Sequence, residues 1–306
     1  MSSAGTLRLA VLSDQHIDTA ISPASWTLAQ AAFAAAVRAK ADHVILVGDT
    51  FDCATAMLRD REVVERHLRT LGLWHRDRLT IVPGNHDMFH TPHHGTYLQR
   101  ALELARNALS FDARGPVRDP VNESAFDEWA RPLTRAADRL HDRRSFPLRK
   151  VVGHVALYTA DTAPQRTMSC ANGFWRADVD ELLRAATPEA DERRVLAIHH
   201  PPKPSRQTSV GDVARSFRAG RLTYPVAFPP KDFARLSAFL DDASIDAVVC
   251  GHIHTAKRYR WTVHGTAAKV PACMVGRTGG LTRSAPVIGV LSVPKRGAVT
   301  WREIAL

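Results

Sequence analysis

Residues 79–87 read LTIVPGNHD, an apolar run that changes abruptly into polar side chains. The first part, LTIVPG (79–84), is short and rich in β-branched residues, which predicts a buried strand. An amide, an imidazole and a carboxylate follow it directly, and such groups at the end of a buried strand cost free energy unless they are paired or bound to a metal. Because the carboxyl ends of strands are where α/β proteins assemble their sites, this stretch predicts both a sheet and a site at its edge.

Four further motifs have the same arrangement of an apolar run followed by polar, potentially metal-binding residues. The runs are LRLAVLS (7–13), HVILVG (43–48), RVLAIH (194–199) and DAVVCG (246–251). The motifs at their ends are Ser13-Asp14-Gln15-His16, Gly48-Asp49-Thr50-Phe51-Asp52, His199-His200-Pro201-Pro202 and Gly251-His252-Ile253-His254. Five motifs that each follow an apolar run indicate one site built from five strand ends.

The order of strands and helices indicates the fold class. Helical patterns over residues 24–40 and 57–71 separate the first three strands, and this alternation is typical of an α/β layer structure. KVVGHVALYTA (150–160) is expected to form a later strand, and several strands near the C-terminus follow one another without helices. We therefore expect an α/β fold of two packed sheets flanked by helices, in one domain over residues 1–306.

Residues 90–149 carry turn signals and helical stretches without a convincing strand, and we interpret them as a helical insertion or cap. Within it, apolar residues recur at helical spacing and arginines fall on the opposite side. The apolar residues are Phe126, Trp129, Leu133 and Leu140, and the arginines are Arg131, Arg135 and Arg139. This pattern favours a surface helix with a solvated basic face.

Composition limits the compartment and the partners. The 306 residues contain 41 Lys and Arg against 31 Asp and Glu, a net charge of +10 that suits anionic partners. No apolar run approaches the ~20 residues that cross a bilayer, so no membrane association is expected. The N-terminal residues do not resemble a signal peptide, and the four cysteines are far apart, so we expect reduced thiols and a cytoplasmic protein.

The spacing of the motifs favours metal ions. Asp14 and His16 are two residues apart, as are His252 and His254, and such pairs point to the same side of an extended chain. Asp, Asn and His offer oxygen and nitrogen ligands, which suit Mn, Fe or Zn better than a soft metal. Six to eight such ligands are too many for one ion, so two divalent or mixed-valence ions sharing a carboxylate are expected, about 3.5–4 Å apart.

The series DxH, GDxxD, GNHD, H and GHxH, from residue 14 to residue 254, resembles the calcineurin-like metallophosphoesterase superfamily. The resemblance implies a sandwich of two mixed sheets flanked by helices. It also implies a pair of metal ions that activate a water for attack on a phosphate ester. The first ion would be held by Asp14, His16, Asp49 and His254. The second would be held by Asp49, Asn85, His199 and His252, with Asp49 bridging.

The same resemblance assigns roles to the remaining polar residues of the motifs. His86 would interact with the phosphate or the leaving oxygen, and Asp52 would orient His86. Asp87 would be structural. Of the two adjacent histidines, the family pattern makes His199 the ligand, and His200 would then support it from outside the direct ligand set.

The substrate is less well defined by the sequence. The stretch TADTAPQ (159–165) followed by NGFWRADVDEL (172–182) and HHPP resembles small bacterial phosphodiesterases, which favours a small phosphodiester or nucleotide. The GDTFD motif and the positive charge instead resemble the DNA-repair nucleases of the superfamily, so a DNA or RNA nuclease is the alternative. A non-catalytic scaffold of the same fold is the third hypothesis, although such proteins lack metal ligands and all five motifs are intact here.

Overall fold

The computed structural model describes residues 5–88, 120–141, 144–163, 173–186, 191–202, 228, 230–252, 257–262, 269–274 and 286–306. The strands are β1 (Thr6–Leu12), β2 (His43–Val47), β3 (Leu79–Val82), β4 (Leu148–Val152), β5 (Val155–Thr159), β6 (Arg193–Ala197), β7 (Ala247–Cys250), β8 (Lys257–Thr262), β9 (Lys269–Met274), β10 (Val287–Pro294) and β11 (Thr300–Ala305). The α-helices are α1 (Pro23–Arg38), α2 (Ala54–Thr70), α3 (Asn85–Met88), α4 (Pro120–Ala130), α5 (Ala177–Ala185) and α6 (Pro230–Asp242). None of these helices combines the length and the apolar character that a bilayer crossing requires.

The described strands form two mixed sheets. The five-stranded sheet has the order β11-β10-β1-β2-β3. Strands β1, β2 and β3 are parallel to one another, and β10 pairs in antiparallel fashion with both β1 and β11. The six-stranded sheet has the order β4-β5-β6-β7-β9-β8, with parallel pairing from β5 to β9 and antiparallel strands at both edges. The carboxyl ends of the parallel strands of each sheet therefore lie along one edge of that sheet.

Three apolar clusters show how the layers pack. Alternate residues of β1, such as Leu9 and Val11, join Val195 and Val249 of the other sheet in a core between the two sheets. The opposite face of the first sheet packs against α1, α2 and α4, and the outer face of the second sheet packs against α5 and α6. The arrangement confirms the expected fold class of two mixed sheets flanked by helices.

One segment that the sequence predicts as a single strand forms two strands. The expected strand over residues 150–160 is a hairpin of β4 and β5 paired in antiparallel register. Gly153 forms the turn with φ of +59°, a left-handed conformation that glycine adopts without steric penalty. The apolar residues on either side of the turn were continuous enough to hide it in the sequence pattern.

The prediction of one helix with a basic face over residues 126–140 is also wrong in part. Helix α4 ends at Ala130, and short 3-10 turns follow at Arg131–Leu133 and Ala136–Asp138. Pro132 explains the end of the helix, since it lacks an amide donor and disfavours helical geometry in the residue before it. Phe126, Trp129 and Leu133 are nevertheless buried together. Residues 90–119 and 142–143 of the proposed insertion lie outside the described ranges.

Candidate metal centre

The described polar motifs converge at the carboxyl ends of parallel strands. Asp14, Asp49 and Asn85 follow β1, β2 and β3 of the first sheet, while His199 and His252 follow β6 and β7 of the second. The residues from the two sheets are in contact. The backbone N–H of His252 donates to both carboxylate oxygens of Asp14 at 3.0 Å. The two sheets thus contribute to one site, as the strand-end pattern predicts. His254 lies outside the described residues.

Backbone conformation marks the same residues. Six described non-glycine residues have positive φ, and four of them belong to the site motifs: Asp14 (53°), His16 (45°), Asp49 (49°) and His252 (72°). A side chain in this left-handed region costs about 1–3 kcal/mol unless the surroundings determine it, and such strain concentrates at functional sites. The left-handed conformation in the turns after β1, β2 and β7 therefore sets the orientation of these side chains and lowers local stability.

Three glycines of the motifs allow the loops to approach one another. A Cβ on Gly48 would lie 2.4 Å from Nδ1 of His199, and one on Gly84 would lie 2.1 Å from the backbone nitrogen of Asp49. A Cβ on Gly251 would lie 1.7 Å from Oγ of Ser13. Only glycine fits at these three positions, so each glycine is a requirement of the site and not only of a turn.

Asp49 lies at the centre of the cluster. Its Oδ1 accepts a hydrogen bond from the backbone N–H of His86 at 2.8 Å. Its Oδ2 lies 3.1 Å from Nε2 of His199 and 3.9 Å from Nε2 of His16. Burial opposes the negative charge of Asp49, but His199, His86 and His252 hold its pKa well below the usual range. The carboxylate is therefore ionised and turned toward imidazoles on two sides.

His199 is fixed by the first sheet although it belongs to the second. Its Nδ1 lies 2.9 Å from the carbonyl oxygen of Val47, which only accepts, so Nδ1 carries a proton and donates it. Its Nε2 then faces Asn85 Oδ1 at 3.1 Å and Nδ1 of His252 at 3.2 Å. Burial opposes a charge on His199, but Asp49 and Asp14 raise its pKa to about 9. The groups around Nε2 favour a cation there.

Three groups of described side chains place potential ligand atoms within 4.8 Å of one another. They are His16 with Asp49 and His86, Asp14 with Asp49 and His199, and His199 with His200 and His252. Asp49 is shared by two groups, as is His199. The donor atoms are carboxylate oxygens and imidazole nitrogens, a set that fits divalent Mn, Fe or Zn. The residues present therefore fit a metal centre with more than one position.

Asp52 and Asp87 lie beside these groups, and His86 belongs to one of them. Nδ1 of half-buried His86 contacts the backbone carbonyl of Asp52 at 2.9 Å, so residue 52 orients His86 through its main chain. The carboxylate of Asp52 lies 3.6 Å from Nδ1 of His16. Buried Asp87 accepts hydrogen bonds from the N–H groups of Phe51 and Gly84, and burial together with nearby Asp49 raises its pKa to about 7. Asp87 thus connects the loops after β2 and β3.

His200 has a partner that the sequence analysis did not identify. The hydroxyl of buried Thr162 lies 2.8 Å from its Nδ1 and accepts a hydrogen bond from its backbone N–H at 3.3 Å. Thr162 follows β5, the neighbour of β6 in the sheet, and belongs to the Asp-Thr strand end noted in the sequence. That position at a strand end was the available signal, although a threonine alone does not indicate a metal site.

Potential oxygen and nitrogen ligands gathered at the ends of strands from two packed mixed sheets are what the resemblance to metallophosphoesterases implies. The family model for calcineurin-like phosphoesterases matches residues 7–256, and the chain belongs to this family. No curated protein sequence matches the chain.

Two solved structures are similar in fold. A purple acid phosphatase from yellow lupin (Lupinus luteus) seeds has a TM-score of 0.59 at 12% identity, with 99% of this chain covering 52% of the lupin chain. A dimetal phosphatase from Danio rerio has a TM-score of 0.52 at 13% identity, with 98% of this chain covering 99% of that one. This chain thus spans about half the length of the lupin protein. At these identities the likeness concerns the fold alone.

Proposed function

We propose that this chain hydrolyses a small phosphodiester or nucleotide with a water activated by two metal ions held around Asp49. The observation that carries the proposal is that Oδ2 of Asp49 lies 3.9 Å from Nε2 of His16 and 3.1 Å from Nε2 of His199, which are potential ligands of different metal positions. A carboxylate that serves two positions at once is the feature that distinguishes a dinuclear centre from a single metal site.

The two metal positions would use ligands from both sheets. The first would be formed by Asp14, His16, Asp49 and His254, and the second by Asp49, Asn85, His199 and His252. Mn, Fe or Zn bound there would activate water as the nucleophile and offset charge on the phosphoryl oxygens.

His86 would act on the leaving group. The carbonyl of Asp52 accepts from Nδ1, which leaves Nε2 to donate a proton or hydrogen bond to the departing alkoxide. Asp87 holds the amides of Phe51 and Gly84 and so keeps the turn that carries His86 in register with the turn that carries Asp49. We assign Asp87 a structural role for that reason.

The preference for a small phosphodiester rests on the resemblance in sequence to small bacterial phosphodiesterases. Two sequence features favour it, the Asp-Thr strand end and the HHPP motif, and both lie at the site. The two features are in contact, since the hydroxyl oxygen of Thr162 lies 2.8 Å from Nδ1 of His200. A cytoplasmic location belongs to the same proposal, because Cys53 is a buried free thiol, which fits a reducing compartment.

A substrate panel tests the proposal. Purified protein with Mn²⁺ would be assayed against bis-p-nitrophenyl phosphate, p-nitrophenyl phosphate, cyclic nucleotides, a glycerophosphodiester, and single- and double-stranded DNA and RNA. We expect the small diesters to give the highest kcat/KM, and Asp49→Asn to lose more than about 100-fold, since even mutations outside the direct ligand set cost 10–100-fold.

The other outcomes identify the alternatives. Faster turnover of p-nitrophenyl phosphate would indicate a monoesterase, and preferred cleavage of DNA or RNA would indicate the nuclease. A protein that takes up no Mn²⁺ and hydrolyses nothing would be the non-catalytic scaffold.

A further inference from the structure

Asp18 stands two residues after His16 in the sequence Asp14-Gln15-His16-Ile17-Asp18, at the spacing of a third metal ligand. The structure gives its carboxylate another use. Oδ1 of Asp18 accepts hydrogen bonds from the backbone N–H groups of Ala20 at 3.0 Å and Ile21 at 2.8 Å. It also accepts from Nη2 of Arg59 at 2.6 Å. Asp18 therefore folds the loop after His16 back on itself and fastens it to α2.

Asp60 completes this connection from the helix. Its carboxylate accepts from the backbone N–H of Thr19 at 3.0 Å and from the hydroxyl of Thr19 at 2.7 Å. Arg59 donates to both oxygens of Asp60, from Nε at 3.0 Å and from Nη2 at 2.7 Å. Asp18 and Asp60 are buried, so removal of the guanidinium would leave two carboxylates close together without their common cation.

We infer that Arg59, Asp18 and Asp60, here termed the Arg59 clamp, position the metal ligands of the DxH motif. The inference rests on the proposed metal-binding role of that motif. His16 and Asp14 hold left-handed φ values of 45° and 53°, which the chain keeps only if it is fixed on both sides. Strand β1 fixes the N-terminal side, and the clamp fixes the C-terminal side within two residues of His16.

The path from the clamp to the site is short and made of hydrogen bonds. The backbone N–H of Ile17 donates to the carbonyl of Thr50 at 2.9 Å, and the N–H of Asp52 donates to the carbonyl of Ile17 at 3.1 Å. The N–H of His16 itself donates to the carbonyl of Asp49 at 3.0 Å. Residues 16–18 are thus held between the loop that carries Asp49 and the first turns of α2. Release of the clamp would let His16 relax away from Asp49.

Metal titration of four variants tests the clamp. Mn²⁺ would be added to metal-free wild type, Arg59→Met, Arg59→Lys and Arg69→Met in a calorimeter, with kcat for bis-p-nitrophenyl phosphate measured at saturating Mn²⁺. We expect Arg59→Met to bind Mn²⁺ about 10–100-fold more weakly, the range for groups that orient metal ligands. Its kcat at saturating Mn²⁺ should return to within about twofold of wild type, because the bound metal restores the ligand geometry.

The other two variants separate positioning from general stability. Arg59→Lys should recover part of the affinity, because its ammonium ion restores the positive charge but cannot reproduce the contact of two nitrogens, Nε and Nη2, with Asp60. Arg69→Met is the matched control, since Arg69 lies on the same helix and binds Glu65 far from the loop. It should bind Mn²⁺ as wild type does.

The results that overturn the inference are distinct from those that overturn the proposed function. Wild-type Mn²⁺ affinity in folded Arg59→Met, or a lowered kcat at unchanged affinity, refutes the clamp. If Arg59→Met does not fold, Asp60→Asn removes the charge and replaces one acceptor oxygen by an NH2 donor, and wild-type affinity in that variant also refutes it. If wild type itself binds no Mn²⁺, the proposed function fails and the clamp with it, whereas failure in the variants alone leaves the function intact.

Discussion

Asp49 and His199 show how main-chain contacts orient individual side chains of the candidate metal centre. Each is buried, and each is held by backbone groups on the side away from the cluster: Asp49 by the N–H of His86, and His199 by the carbonyl of Val47. The second oxygen of Asp49 and the second nitrogen of His199 then lie 3.1 Å apart. The main chain therefore sets the direction of both groups.

His86 should contribute to turnover without contributing to metal uptake. We expect His86→Ala to lower kcat by about 10²–10⁴-fold for alkyl phosphodiesters, the usual range for general acid help. The loss should be much smaller for bis-p-nitrophenyl phosphate, whose leaving group needs little protonation. Turnover of both substrates and metal content by elemental analysis would be compared in wild type, His86→Ala and the exposed control His75→Ala.

A loss of metal from His86→Ala would contradict this division of roles. His86 lies in one ligand group with His16 and Asp49, so that outcome would make it a ligand. An equal loss of kcat on both substrates would instead show that His86 acts on the phosphate and not on the leaving oxygen.

The sequence predicted which ionisable residues would gather, but not how the chain makes room for them. Asp14, Asp49, Asn85, His199 and His252 each follow an apolar run, and this local pattern sufficed. Contacts between loops far apart in sequence left no such pattern, and neither did the left-handed backbone of Asp14. The assignment of individual ligands to each metal position stays a prediction.

Loops after neighbouring strands approach closely enough to exclude a methyl group, and Gly84 tests this packing. A Cβ there would lie 2.1 Å from the backbone nitrogen of Asp49 and 2.2 Å from its Oδ1. We expect Gly84→Ala to displace Asp49 and to weaken Mn²⁺ binding by at least about 10-fold, since displaced ligand geometry has effects of this size. Calorimetric titration of the metal-free protein measures it.

Gly72→Ala is the control for the glycine substitution. Gly72 also has a positive φ of 67°, but no atom lies within 4 Å of its added Cβ. It should lose about 1–2 kcal/mol of stability from backbone strain and retain wild-type Mn²⁺ affinity. Equal effects of the two substitutions on affinity would show that metal binding follows global stability and not the local contact.

Secondary structure was predictable where each element had its own hydrophobic pattern. Helices α1 and α2 and strands β1 to β3 were expected close to their observed bounds, because each is a separate apolar segment. The hairpin of β4 and β5 was missed because its turn is only Gly153 and His154 between two apolar runs. The 126–140 segment was misjudged because Leu133 is buried by a 3-10 turn that continues the helical spacing past Pro132.

Lys150 joins three parts of the protein and is almost wholly buried. It lies on β4 of the second sheet, and its Nζ donates to the carbonyls of Leu79 on β3 at 2.8 Å and of Leu133 at 2.9 Å. Burial is the main cause that lowers its pKa from 10.5 to about 8, with nearby Asp138 and Asp77 opposing. A neutral amine still has two hydrogens to donate, so deprotonation removes the buried charge and keeps both hydrogen bonds.

This lowered pKa should make the folded protein more stable as pH rises. Below pH 8 the lysine is protonated in both states, whereas between pH 8 and 10.5 the unfolded chain binds a proton that the folded chain does not. The free energy of unfolding of wild type relative to Lys150→Met should therefore increase with pH, by roughly 2 kcal/mol from pH 8 to pH 10. Urea denaturation of both metal-free proteins at several pH values measures this difference. The pH-dependent contributions of titratable groups common to both proteins cancel in it. A difference that stays constant across this range would show that Lys150 does not titrate there in the folded protein.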